Sequence, residues 1–279
     1  MLKNIKKQML LATAALSIFG LAGCANKVVP QSSETTVVSE TKDGNQSKSL
    51  EKAIDAVAFS YVKSQLANDN PKATPGAQIV VLKDGKMIFQ KSYGVIQAFD
   101  FSKNPAEKIE KPSPVTNETL FDLASVTKIS ATTQVFMHLV YEGKVKLDDK
   151  VTQYLPEFGK NGKEDVTIGQ LLSHTSGLPQ WKAIYLYSNN RQDTLKYIED
   201  QKLEFKPGEY KYSDLGFMTL AFVAEKITGE AFDKYVAKTI YEPLGLKNTM
   251  FNPLKNGVDK SQIAVTSYGN PFEKMMIDE

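Results

Sequence analysis

The sequence predicts an α/β chain of the α+β kind, with one amphipathic helix and a β-hairpin ahead of a run of helices. Three observations predict it. Apolar residues recur at three- and four-residue spacing from Ser49, two apolar runs flank Asp84-Gly85, and helical spacing returns from Val126 onward. With 279 residues and 42% hydrophobic content, the chain is long enough to bury a sizeable core.

A targeting segment precedes the fold. Lys3, Lys6 and Lys7 make a positive start over residues 1–23, and Met9 to Leu21 form an apolar stretch too short to span a bilayer comfortably. It closes on Leu21-Ala22-Gly23-Cys24, which is similar to a bacterial lipobox. The expectation is a lipoprotein signal peptide, with Cys24 lipidated and the protein anchored on the outer side of a membrane. An ordinary secretory signal ending near a cysteine is the alternative. Residues 24–47 are rich in Ser, Thr, Gln, Lys and Glu and poor in large apolar residues, so they read as a flexible tether. The folded domain is expected over 48–279.

Each element follows from a local signal. Leu50, Ala53, Ile54, Val57, Ala58, Tyr61 and Val62 give the first helix one buried stripe, with Ser49 as its cap. Gln78 to Leu82 and Lys86 to Gln90, joined through Asp84-Gly85, predict a hairpin. Residues 97–118 read as a loop. A long helix runs from Val126 to Gly143, and Thr167 with Gln170 forms a capping box for a short one. Asp193 is expected to cap a further helix that ends by Lys206-Pro207-Gly208. Two more follow, Leu215 to Thr228 and Ala231 to Ile240.

Composition removes several function classes. Beyond residue 23, 31 basic residues face 32 acidic ones, so nothing draws nucleic acid to the domain. Cys24 is the sole cysteine, and His138 and His174 are the sole histidines. An internal disulfide is excluded and a zinc site is poorly supplied.

Ser125-Val126-Thr127-Lys128 carries the chemistry. A serine hydroxyl needs an adjacent base, and a lysine three residues later on a helix shares its face. Burial lowers a lysine's pKa, which predicts a base near neutral pH. The helix start adds unpaired N–H groups for a developing oxyanion. The spacing alone is weak, because Ser39–Lys42, Ser49–Lys52 and Ser60–Lys63 share it. Only Ser125 follows an apolar segment and opens a long helix. Tyr212-Ser213-Asp214 is a second candidate, with Tyr212 able to relay a proton. Locally, an N-capping Asp214 beside a packed Tyr212 explains it better.

A resemblance bears on that choice. Phe121 to Lys128 resembles the nucleophile motif of class C-type β-lactamases and low-molecular-mass penicillin-binding proteins. Leu171-Leu172-Ser173-His174-Thr175-Ser176-Gly177-Leu178-Pro179, Pro207-Gly208-Glu209 with Tyr212-Ser213-Asp214, and Tyr241 to Leu246 resemble further blocks of the same superfamily, in order, over about residues 50–270. Phe251-Asn252-Pro253-Leu254 is similar to the branch of 4B-type penicillin-binding proteins. The resemblance implies a β-lactamase/transpeptidase-like fold, an antiparallel sheet flanked by helices plus a helical region. It also implies acyl transfer by Ser125, with Lys128 as base, Tyr212 assisting and Asp214 in support, and no metal or organic cofactor. Substrates would be peptidoglycan peptides, β-lactams or small esters. A D-Ala-D-Ala carboxypeptidase-like role at the cell wall is implied first, and an inactive surface lipoprotein or cell-wall-binding protein is the alternative.

Two departures stand out. Asp214 occupies the family's usual asparagine position, adding negative charge beside the lysine. The family's third element, Lys-Thr-Gly or His-x-Gly on a strand, is not found after Tyr212, so the expectation is a truncated domain lacking its C-terminal strands and one oxyanion donor. His174 is read as shaping its loop and His138 as a packing or surface residue, which leaves a Ser-His-Asp triad unsupported. Trp181, Tyr185 and Tyr187 suit a cleft rim and a core equally.

Overall fold

The computed structural model describes residues 35–36, 44–63, 74–103 and 105–266, all within one unit, Gln31–Glu279. Cys24 and the Ser39–Lys42 pair lie outside them. No described helix is long and apolar enough to cross a membrane.

Helix α1 spans Gly44–Ala58 and passes into a π-helical turn, Phe59–Lys63. Ser49 is therefore an exposed interior residue of α1, not its cap. The buried stripe is narrower than the spacing predicts: Ala58 and Val62 are buried, whereas Val57 is 58% exposed. The helix leans on the sheet at its C-terminal end, where Ala58 and Val62 meet Tyr93, Val95 and Phe99. Further back it is held by polar contacts. Lys91 Nζ donates to Asp55 Oδ1 at 2.8 Å and lies 3.5 Å from Glu51, and the Tyr93 hydroxyl donates to Asp55 at 2.8 Å.

Strands β2 (Gly76–Lys83) and β3 (Lys86–Gly94) form the predicted hairpin, antiparallel from Gly76↔Gly94 to Lys83↔Lys86, with a bulge at Val81/Leu82. Asp84 and Gly85 both take left-handed φ, 51° and 74°, as a primed two-residue turn requires. Strand β1 (Thr35–Thr36) pairs with Lys91 and Gln90, giving the order β1-β3-β2. This strand and the start of α1 fall where composition predicts a tether. Two β-branched threonines on a sheet edge need backbone partners, not a buried apolar face. The predicted loop over 97–118 contains a short pair, β4 (Phe99–Asp100) with β5 (Glu107–Lys108).

The helical region carries the larger core, with Phe136, Leu139, Ile168, Leu171, Leu220 and Val223 at most 1% exposed. It contains α2 (Thr133–Tyr141) behind a π-helical turn, Lys128–Thr132. Next comes α3 (Ile168–Leu172), opened by the predicted capping box, with Gln170 N donating to Thr167 Oγ1 at 3.2 Å and Thr167 N to Gln170 Oε1 at 3.0 Å. Helix α4 (Arg191–Asp200) is capped by Asn190, whose Oδ1 accepts from Asp193 N at 3.0 Å. Asp193 thus sits inside the first turn, and the expected cap moves three residues back. The helix also stops well before Lys206, for a reason the sequence hides. Lys163 is fully buried and donates to the carbonyls of Lys160 (2.9 Å), Glu199 (2.8 Å) and Gln201. Its ammonium faces the negative end of α4 and takes the carbonyls where the helix unwinds. Burial pushes the Lys163 pKa down. Helices α5 (Asp214–Thr228) and α6 (Phe232–Val236) complete the region.

Candidate active site

The segment leading to Ser125 is fixed at both ends. Leu120 N donates to Gln262 O at 2.8 Å and Ala264 N to Leu120 O at 2.8 Å, a parallel bridge. Asp122 Oδ1 then accepts from Ala124 N at 2.8 Å. Ala124 adopts φ 44°, a left-handed conformation that strains an alanine, and such strain gathers at functional turns. The reversal leaves Ser125 exposed at the start of a helical turn, with Lys128 N donating back to Ser125 O at 3.0 Å. Lys128 Nζ donates to Ser125 Oγ at 3.2 Å, the same-face pairing that the spacing predicts. The π-helical turn begins at this lysine, and Thr133 Oγ1 donates to its carbonyl at 2.9 Å.

Tyr212 and Asp214 reach the site by a backbone zipper. Gly208 N donates to Thr175 O and Lys211 N to His174 O, both at 2.8 Å, and Asp214 N to Gln180 O at 2.8 Å. Gly177, at φ 84°, holds the other side: its carbonyl accepts from Glu204 N at 2.9 Å, and a Cβ there would lie 2.4 Å from Phe205 O. The Leu171–Pro179 block is therefore the frame on which the Tyr212 segment hangs. Ser213, not Asp214, caps α5. Its Oγ accepts from Gly216 N at 3.1 Å and donates to Pro179 O at 2.6 Å. That frees the Asp214 carboxylate to face Lys128.

Lys128 Nζ lies 2.6 Å from Asp214 Oδ1, 5.0 Å from the centre of the Tyr212 ring and 5.8 Å from that of Phe217. The Asp214 contact is a charge contact with poor hydrogen-bond direction, and that buried oxygen has no hydrogen-bond partner. The electrostatics correct the sequence expectation. Burial of Lys128 does press its pKa down, but Asp214 and then Tyr212 outweigh it, and the net shift is upward. The resting lysine is an ammonium that donates to Ser125, not a neutral base.

His174 carries more than its loop. It takes φ 57°, its Nδ1 accepts from Ser213 N at 3.0 Å, and its ring stacks on Tyr212 at 4.3 Å and lies tilted against Phe217 at 4.9 Å. Burial and the charge of Lys128 lower its pKa. An accepting Nδ1 leaves the hydrogen on Nε2, so the imidazole is a neutral plate beneath Tyr212. The sequence named this residue but held no signal for the stacking, which spans 38 positions of chain.

The remaining candidates fall elsewhere. Ser60 Oγ donates to Val57 O at 2.7 Å. His138 lies along its own helix, 3.9 Å from Glu142. Trp181 is half-buried, and the exposed Tyr187 stacks on Tyr197 at 5.2 Å. A cavity of about 760 Å³ has walls from Asn117, Phe121, Leu123, Thr127, Phe251 and Leu254, among others. Ser125, Lys128 and Tyr212 do not line it, so the polar cluster stands beside this cavity rather than within it. No group of His, Cys, Asp and Glu able to hold a metal ion occurs among the described residues.

Comparison with known proteins identifies the family and the fold. The family model described as "Beta-lactamase" matches residues 62–274. A protein of Escherichia coli K12, provisionally named a D-alanyl-D-alanine carboxypeptidase, is 38% identical over 206 residues, covering 69% of this chain and 46% of its own. The octameric penicillin-binding protein homologue from Pyrococcus abyssi superposes with a TM-score of 0.59 at 27% identity, over 75% of this chain and 47% of its own. EstCE1, a hydrolase with promiscuous acyltransferase activity, gives 0.63 at 26% identity, over 78% of this chain and 56% of its own. The chain spans about half the length of the curated relatives it matches.

Proposed function

The chain belongs to the β-lactamase family, and on that premise we propose that it is a serine hydrolase working through an acyl-serine intermediate on Ser125. The observation that carries the reading is the convergence of Ser125, Lys128, Tyr212 and Asp214 around one ammonium, with Ser125 Oγ 3.2 Å from Lys128 Nζ. In this reading Ser125 Oγ attacks an amide or ester carbonyl and its proton passes to Lys128 once that side chain has been deprotonated. Tyr212 relays a proton to the leaving group, and water then hydrolyses the acyl-serine. The name of the E. coli relative supports a D-Ala-D-Ala peptide of peptidoglycan as substrate, with β-lactams and small esters as further acyl donors. Leu21-Ala22-Gly23-Cys24 supports a lipid anchor on Cys24 that holds the enzyme outside the membrane, beside the cell wall.

Mass spectrometry after incubation with a labelled penicillin and, separately, a fluorophosphonate tests the nucleophile. A single adduct on Ser125, lost in Ser125→Ala, is the expected result. Adducts on Ser49, Ser60 or Ser213 would refute the assignment. No adduct with either reagent would favour a non-catalytic, cell-wall-binding role.

A further inference from the structure

The Lys128–Asp214 pair presents a difficulty that suggests its own resolution. A lysine held as ammonium cannot accept the Ser125 proton, and here it donates to Ser125 Oγ. Its charge is held by one carboxylate. Asp214 is not occupied as a helix cap, because Ser213 does that work. Its Oδ1 is buried against Lys128 without a directed hydrogen bond, yet the side chain as a whole is 29% exposed. A carboxylate edge is thus open to solvent next to the nucleophile. Neighbouring lysines are already paired, Lys211 with Glu209 at 3.1 Å and Lys182 with Glu204 at 2.8 Å. The nearby surface is aromatic: Tyr210 is 66% exposed with its ring 6.1 Å from His174, and Tyr212 is 36% exposed. A carboxylate edge beside exposed tyrosine faces is the chemistry that recognises an ammonium group.

We propose that Asp214 is a specificity-determining residue that selects acyl donors carrying an ammonium group close to the scissile carbonyl, and that this group activates Lys128. The proposal rests on Ser125 as nucleophile. An incoming ammonium shares the Asp214 charge and repels Lys128, which gives its proton to solvent. The neutral amine then takes the Ser125 proton as Oγ bonds to the carbonyl carbon, and the leaving group departs with its bonding electron pair. Donors without an ammonium leave the Lys128–Asp214 pair intact and modify Ser125 more slowly, penicillins and fluorophosphonates included.

Two esters of matched shape test this: p-nitrophenyl β-alaninate, with an ammonium, and p-nitrophenyl butyrate, with a methyl in its place. The burst of p-nitrophenolate reads acylation even where deacylation is slow, and each rate is divided by the ester's spontaneous hydrolysis. On the full chain, the β-alaninate should acylate Ser125 about tenfold faster or more, the scale of one well-placed ion pair. Asp214→Asn should bring the two rates to within about twofold, chiefly by raising the butyrate rate. Equal normalised rates on the unaltered chain would overturn the proposal, as would an ammonium preference that survives Asp214→Asn. The first comparison needs no variant, so a poorly folding Asp214→Asn does not spare the proposal. Failure of both esters and of the fluorophosphonate to acylate Ser125 would instead overturn the nucleophile assignment beneath it.

Discussion

Replacing His174 by alanine removes three things at once: the acceptor for the Ser213 N–H, the plate under Tyr212 and the contact with Phe217. An unsatisfied, part-buried N–H costs about 1–3 kcal/mol, and each ring contact contributes about 0.5–1.5 kcal/mol. His174→Ala should therefore lose about 2–6 kcal/mol of stability. Asparagine separates the contributions. It tolerates the left-handed φ of 57° and offers an oxygen to Ser213, but has no ring. His174→Asn should lose only about 1–3 kcal/mol. Acylation of Ser125 should slow about tenfold or more in both variants, because Tyr212 has lost its support. The pH response has a definite sign. The folded pKa of His174 is lowered, so folding favours the neutral ring. Its stabilisation is complete above the unfolded value of about 6.5 and is lost as pH falls below it. Urea titrations followed by circular dichroism between pH 5 and pH 8 should accordingly show an acid loss in the unaltered protein that is reduced in His174→Asn. A cost below about 0.5 kcal/mol for alanine, or an unchanged acylation rate for asparagine, would refute this account of the stacking.

Tyr212→Phe keeps the ring on His174 and removes the hydroxyl beside Lys128, so acylation should fall by about 10²-fold while the melting temperature stays nearly constant. A large fall in melting temperature with intact turnover per folded molecule would mean that Tyr212 only packs. Cys24→Ala should move the protein from the membrane fraction to the soluble extracytoplasmic fraction. An unchanged distribution and mass would remove the lipid anchor from the reading.

Local signals were legible in the sequence where two or three adjacent residues settle the geometry. Asp84-Gly85 can turn a hairpin by themselves, Thr167 and Gln170 satisfy one another, and Ser125 and Lys128 share a face by helix spacing alone. Long-range electrostatics were not legible. Nothing near Lys128 announces that Asp214, 86 positions later, lies 2.6 Å away and reverses the sign of its pKa shift. Cap assignments failed where two candidates stood close together. Asn190 takes the role that Asp193 suggests, and Ser213 the one that Asp214 suggests, because the cap goes to whichever side chain precedes the first helical N–H groups. Val57 shows the same limit on the apolar stripe, since periodicity gives a face but not how much of it the sheet covers.

The buried Lys163 couples regions that the chain separates. Its ammonium can leave water only when the carbonyls of Glu199 and Gln201 are already in position, and the end of α4 has its carbonyls met only when the lysine arrives. Each half stabilises the other, so the 160–163 turn and the last turn of α4 should open as one unit, not by gradual fraying. The segment after Gln201 runs on to Phe205 and Tyr212, and its attachment to Gly177 begins three residues beyond this clasp. Solvent exchange at those amides should therefore rise when Lys163 is replaced, although this lysine has no part in the chemistry, because a desolvated charge on another loop helps to hold the frame behind Tyr212.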